Sequence, residues 1–223
     1  MTDHGTPKKE GPQPPANFAY RAYLGGPADE SLWWAPTFAK GQIPEVAVRA
    51  QMAIMKMVET AGNDRLLALV GHMAVDGAID RMLAAIMPKL DEWWGGDPGY
   101  QLRLRVLAAL NLCPEHYLQR ARLIAEIRNT FAHEIEVEGF SDLDGEKLKK
   151  LKTQLAESIR DKDEQKRVLA FGDAKCFKEA VVNTAFSLHA YALKVEESCA
   201  RMRDEAKKEQ VAGKKRRAKE GRS

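Results

Sequence analysis

Apolar residues recur at every third or fourth position between Leu118 and Phe131, and this spacing constrains the fold more than any other feature of the chain. The apolar positions are Leu118, Ala121, Ile124, Ile127 and Phe131. On a helix with 3.6 residues per turn these side chains share one face. We therefore predict a helix that packs this face on a core and ends near His133.

The same pattern predicts helices along most of the chain from Glu45 onward. We expect a short helix that stops at Ala61-Gly62 and a long helix that Asn63 or Asp64 caps, running to about Met87. Further helices are expected over about 100–112, over about 145–158 and from about Ala174.

Two of these helices carry apolar stripes that we expect to be buried. In the long helix the stripe is Leu66, Val70, Met73, Gly77 or Ala78, Met82 and Ile86. In the last helix it is Phe177, Val181, Ala185, Leu188, Ala192 and Val195. Residues 134–138 alternate as an extended segment does, and 161–166 is expected to be a charged linker. No repeat or sheet pattern is present, so the fold class is an all-α helical bundle.

The two ends of the chain differ in composition from its middle. Residues 1–44 contain seven prolines, which interrupt helices, so we expect a loosely ordered, flexible N-terminal arm. Residues 201–223 carry ten lysines and arginines against four acidic residues, a net charge of +6, so the first 200 residues carry −3. We expect an all-α domain over 45–200 and a basic C-terminal tail over 201–223. The tail residues Lys214, Lys215, Arg216 and Arg217 are candidates for binding nucleic acid, although a solubilising extension has the same composition.

Several classes of site and location are disfavoured by the sequence. Its three cysteines are far apart and form no CxxC pair, which argues against a zinc site or a disulfide framework. His72 and Asp76 lie four residues apart but lack a third ligand, so we expect no metal and no cofactor. No apolar run reaches the length of a membrane span, and the N-terminus lacks a signal-peptide core. We expect a cytoplasmic protein without a membrane partner.

The end of the predicted motif helix carries the residues best suited to chemistry. Arg128 and Asn129 are adjacent, and His133 follows five positions after the arginine. Histidine suits proton transfer near neutral pH, and a guanidinium binds phosphate in a forked geometry. Arg122, Glu126, Asn129 and His133 step by four, three and four and form one polar stripe, in which Glu126 is placed to orient the histidine.

Arg128 and His133 do not share a face of an ideal helix, because five residues rotate by about 140°. The two meet only if the helix ends between them or if they come from two copies of the chain. A purely structural interpretation is also open. His133 then interacts with the helix dipole, and Arg128 pairs with Glu134 or Glu136.

The junction at residues 111–114 is better explained by a helical hairpin than by a DNA-binding helix-turn-helix, because the second helix carries an apolar stripe and acidic residues.

The string Arg128-Asn129-x-x-x-His133 at the end of a core helix resembles the signature of the HEPN superfamily of all-helical proteins. The surrounding chain, from about Leu66 to Leu155, is similar to the mannitol operon repressor (MltR) family. The similarity includes the long helix over 66–87, the basic and apolar helix over 99–112, the stretch over 123–133 and the trailing Phe140-Ser141-Asp142. The resemblance implies a HEPN-like bundle that forms a homodimer. It also implies that Arg128 holds a phosphate, His133 acts as general base or acid, and Asn129 orients the group.

Two functions from different classes follow from this resemblance. The first is a metal-independent endoribonuclease, or a toxin-like RNA-cleaving relative, that acts through Arg128, Asn129 and His133 on RNA. The second is a non-catalytic transcriptional regulator of the MltR type that works through partner proteins, in which the motif is a dimer or binding element. The possible protein partners are a regulatory protein or an antitoxin. The sequence names neither the substrate nor the partner.

Overall fold

The fold is described by a computed structural model that covers residues 45–88, 92, 95–96, 98–159 and 162–220, without the side chains of 45–48 and 214–220. The predicted N-terminal arm, residues 1–44, lies outside this range. The described residues form α-helices and one 3₁₀ turn, and no strand occurs among them. The all-α fold class is therefore confirmed.

Seven α-helices make up the described part of the chain. They are α1 (Glu45–Glu59), α2 (Asp64–Ile86), α3 (Tyr100–Ala109), α4 (Glu115–His133), α5 (Gly145–Glu157), α6 (Lys162–Leu169) and α7 (Asp173–Glu220). The 3₁₀ turn Phe140–Asp142 connects α4 to α5. The side chain of Asn63 caps α2, as predicted, by accepting a hydrogen bond from the backbone N–H of Leu66 at 2.8 Å.

The core lies between α2, α4 and the first half of α7. Every residue of the stripe predicted for α4 is buried, and so is every residue of the stripe predicted for α7. Phe140 carries the 3₁₀ turn into this core, where its ring lies 5.3 Å from the ring of Phe131 and 5.0 Å from that of Phe177. Both stripes were predictable because their apolar residues recur every three or four positions, although α7 also buries Phe186, which lies outside its predicted stripe.

The structure corrects three local predictions. In the stripe predicted for α2, Ala78 and Met82 are buried, whereas Leu66 and Met73 are exposed. The buried face is formed by Leu67, Ala68, Gly71, His72, Ala74, Val75, Ala78, Ile79, Met82 and Leu83. Residues 161–166 were expected to form a linker, but α6 begins at Lys162, where two ion pairs at i,i+3 spacing support a helix. Residues 134–138 form a turn instead of an extended segment, and Val137 is buried there.

The last helix runs through the predicted start of the tail. It continues from Ala200 to Glu220, and the side chains of residues 201–213 are exposed. The domain boundary at residue 200 stays a prediction, since the backbone shows no break there. Among the described helices, none combines the length and apolar character that crossing a bilayer requires.

A candidate anion-binding cleft

A cleft of about 680 Å³ opens between α2, α3 and α4. Its polar lining comes from His72 and Asp76 of α2, Tyr100, Gln101, Arg103 and Arg105 of α3, and Arg128 and Asn129 of α4. Three guanidinium groups thus line the cleft with a single carboxylate among the described residues. This excess of positive charge suits an anionic ligand.

The wall between α2 and α3 is fixed by Arg103. Its Nη2 lies 2.9 Å from Oδ1 of Asp76, and its Nη1 forms a second ion pair with Asp80. The side chain of Arg103 is only 12% exposed, and the two ion pairs fix its position. Arg103 therefore contributes more to the shape of the cleft than to its net charge.

Tyr100 joins α3 to α4 at the side of the cleft. Its hydroxyl donates a hydrogen bond to the backbone carbonyl of Ala121 at 3.0 Å. Burial, followed by the charge of Asp76, raises the pKa of Tyr100 above its ordinary value, so the hydroxyl stays protonated. The preceding Gly99 caps the helix without a side-chain hydrogen bond, and no acidic residue lies in the first turn of α3. The positive end of the α3 dipole thus borders the cleft.

Arg128 enters the cleft from α4. Its Nη1 donates a hydrogen bond to Oδ1 of Asn129 at 2.8 Å, whereas its buried Nε has no hydrogen-bond partner. Within the described residues Arg128 forms no ion pair, so the predicted alternative of a pair with Glu134 or Glu136 is not seen there. A guanidinium held by one neutral amide keeps donors for a ligand.

His72 faces Arg128 from the α2 side of the cleft. Only 9% of the residue is exposed, and its ring centroid lies 4.7 Å from that of Tyr100. Burial, together with the positive charges of Arg128 and Arg103, lowers the pKa of His72 to about 4. His72 is therefore neutral at physiological pH.

The predicted catalytic motif is divided between two surfaces. Arg128 and Asn129 line the cleft, whereas His133 is exposed in the last turn of α4 and does not line it. Glu126 is also exposed and lies away from the cleft, toward α5. There Glu146 raises the pKa of Lys150, and the charge of Glu126 adds a smaller contribution. One copy of the chain therefore does not bring the arginine and the histidine together.

The turn after His133 is held by Arg65 of α2. The Nη2 atom of Arg65 donates to the backbone carbonyls of Val137 at 2.8 Å, Ile135 at 3.2 Å and Glu134 at 3.3 Å. These contacts satisfy carbonyls just beyond the end of α4. They also place His133 beside the first turn of α2.

Sequence reasoning missed several residues of the cleft. Arg103, Arg105 and Tyr100 were noted only as part of a basic and apolar helix, and His72 only as an incomplete metal site. The two arginines of Gln101-Leu102-Arg103-Leu104-Arg105 were the available signal, but nothing in this stretch indicates which helix packs beside it. For the predicted nucleic-acid-binding residues Lys214 to Arg217, the backbone is helical and the side chains lie outside the described part.

The described residues contain no group of three or more histidine, cysteine, aspartate or glutamate side chains placed to hold a metal ion. Cys113 and Cys176 are buried, and burial raises the pKa of each thiol. No protein-family model, curated protein or solved structure matches this chain.

Proposed function

We propose that this chain is a HEPN-like, metal-independent endoribonuclease, or a toxin-like relative, that acts on RNA in the cytoplasm as a homodimer. The observation that carries the proposal is the environment of Arg128. Arg128 lies in a cleft rich in arginine, and among the described residues it forms no ion pair and donates its one side-chain hydrogen bond to the neighbouring Asn129. A phosphodiester in the cleft would accept hydrogen bonds from the terminal nitrogens of the planar guanidinium, since the buried Nε is closed to a ligand.

The rest of the cleft also suits a phosphate group. The uncapped first turn of α3 offers backbone N–H groups, and Arg105 adds a second exposed cation. The 2′-hydroxyl of RNA is itself a nucleophile, so cleavage needs groups that move protons and stabilise charge, which histidine and arginine provide.

A second copy of the chain would bring His133 to the cleft. An exposed apolar stripe on α2, formed by Leu66, Leu69 and Met73, borders the cleft wall at His72 and Asp76. Ile135, which is 86% exposed, lies next to the other end of this stripe because Arg65 binds its carbonyl. Antiparallel pairing of two α2 stripes would place the His133 end of one copy against the cleft of the other.

The experiment that tests the proposal is cleavage of an oligoribonucleotide pool by the purified full-length protein in excess EDTA. Arg128→Ala and His133→Ala are expected to be inactive, and wild type is expected to leave 2′,3′-cyclic phosphate ends. The matched control is Arg122→Ala on the same helix, because Arg122 pairs with Glu115 at 3.2 Å and does not line the cleft. All variants are checked for folding by circular dichroism and for size by sedimentation.

Mixing the two inactive variants tests the shared site. A heterodimer of Arg128→Ala and His133→Ala retains one site with both residues, so about a quarter of wild-type activity should return after subunit exchange. If wild type does not cleave RNA, or if Arg128→Ala cleaves as well as Arg122→Ala does, the ribonuclease proposal is wrong.

The exposed stripe also favours a second candidate, an MltR-like non-catalytic transcriptional regulator that acts through protein partners. Leu66 and Leu69 are each 42% exposed and Met73 is 59% exposed, on a face that no described helix covers. A partner helix would bury such a surface. This candidate predicts a monomeric chain that does not cleave RNA, and a Leu69→Asp variant that loses the partner.

A further inference from the structure

His72 and Arg128 line the same cleft from two different helices. His72 belongs to α2 and Arg128 to α4, and both side chains border the space that a phosphate would occupy. No hydrogen bond holds the ring nitrogens of His72 within the described residues. The imidazole of His72 is thus nearly buried, its ring nitrogens accept or donate no hydrogen bond within the described residues, and it lies beside the space where Arg128 would bind a phosphate.

We propose that His72 is a second catalytic residue of this site and accepts the proton of the attacking 2′-hydroxyl. The inference rests on the proposed function. It adds a residue that lies outside the Arg128 to His133 motif, and it assigns separate roles to the two histidines.

The groups around His72 fit a proton acceptor. Asp76 is the one carboxylate among the described lining residues, and Arg103 holds it at 2.9 Å. The hydroxyl of Tyr100 is engaged with the Ala121 carbonyl, so Tyr100 presents its ring to the histidine. From α7, the side chains nearest to the neighbouring Gly71 are those of Val181 and Phe177, which carry no charge.

Arg128 and Arg103 keep His72 ready to accept a proton. Burial and these two positive charges lower the pKa of His72, so the ring enters the reaction neutral. A bound phosphodiester, which carries one negative charge, would offset the charge of Arg128 and raise that pKa. The basicity of His72 would thus increase when the substrate is in place.

The proposed step balances without a metal or a redox partner. The 2′-hydroxyl proton moves to a ring nitrogen of His72, and the 2′-oxygen forms a bond to phosphorus while the bond from phosphorus to the 5′-oxygen breaks. The leaving 5′-oxygen takes a proton from His133 of the second copy. The products are a 2′,3′-cyclic phosphate and a 5′-hydroxyl, and water restores both histidines to their starting states.

The test is the pH dependence of cleavage of a short oligoribonucleotide by wild type, His72→Asn and His72→Gln, with Arg122→Ala as the control. A general base contributes about 100-fold to 10,000-fold, so kcat should fall by at least that lower factor while KM changes little. The acidic limb of the kcat/KM profile should disappear from both His72 variants. Two substitutions are used so that poor folding of one does not decide the outcome.

A titration without turnover adds an independent measurement. Inorganic phosphate should raise the pKa of His72, followed by its imidazole NMR signals, in wild type but not in Arg128→Ala. If wild type cleaves RNA and the His72 variants keep both its rate and its acidic limb, the inference is overturned while the ribonuclease proposal stands. A uniformly lower rate with an unchanged profile assigns His72 a structural role and also overturns it. A wild-type protein that does not cleave overturns both.

Discussion

Gly71 of α2 lies directly against Val181 of α7. A Cβ added to Gly71 would lie 2.7 Å from Cγ2 of Val181 and 3.1 Å from the ring of Phe177. Real Cβ atoms do not approach other atoms so closely, and the core leaves little free space for Val181 to move. This contact therefore sets how near α2 comes to α7, and with it the position of the adjacent His72.

Gly71→Ala is expected to destabilise the protein by about 1–3 kcal/mol, because overpacking outweighs the better helix propensity of alanine. Gly77 is the matched control on the same helix, since a Cβ added there meets no atom within 4 Å. Gly77→Ala should stabilise the protein by about 0.5–1 kcal/mol through helix propensity. Urea unfolding followed by circular dichroism measures both, and equal shifts of the same sign would contradict the packing argument.

Arg65→Ala is expected to destabilise the protein by about 1–3 kcal/mol, because three backbone carbonyls after α4 lose their charged donor. The loss should be local in part, with faster amide exchange at residues 134–138, beside His133. Arg65→Lys keeps the charge but cannot reproduce the guanidinium geometry, so it should recover only part of the stability. The argument fails if Arg65→Ala unfolds at the same urea concentration as wild type.

The α4 and α7 stripes were predicted correctly because their apolar residues recur every three or four positions. In α7 the pattern did not identify every buried position, since Phe186 lies outside the stripe and is also buried. The same reasoning was wrong for the first half of α2, where Leu66 and Met73 are exposed, and correct for Ala78 and Met82. Nearly every position in its first half is apolar, including Leu66, Leu67, Leu69 and Val70, so periodicity does not identify the buried side. Packing against α7 decides it, and the glycine at position 71 is the residue that permits that packing.

The candidate site was predictable only in part. Arg128 and Asn129 were identified from their place at the end of a core helix, and the rotation of about 140° anticipated that His133 would face elsewhere. The contributions of His72 and Arg103 were not predictable, because they depend on how α2 and α3 pack beside α4. Residues so far apart in sequence meet only through the tertiary fold.

The stability of the protein should depend on the protonation of His72. Its pKa is about 4 in the folded protein against 6.5 for the free side chain, so the unfolded chain binds the proton more readily. Stability is therefore fully present above pH 6.5 and falls as the pH drops toward 4, by at most about 3 kcal/mol for this group. Urea unfolding of wild type and His72→Asn at pH 7 and pH 4.5 isolates the effect from that of the carboxylates. The difference between the two proteins should change with pH, and a constant difference would contradict the assignment.

Truncation after Arg203 should remove the basic end of α7 without weakening the core. The side chains of residues 204–213 are exposed, and the last described contact with the body is the hydrogen bond from Arg203 Nη2 to the Ala85 carbonyl at 3.3 Å. The free energy of unfolding should therefore stay within about 0.5 kcal/mol of wild type.

The RNA affinity of the truncated protein should fall and depend less steeply on salt, because fewer cations replace counterions on the phosphates. A full-length variant with Lys214, Lys215, Arg216 and Arg217 changed to serine separates charge from length. If that variant binds RNA with the salt dependence of wild type, these four residues do not contribute to nucleic-acid binding.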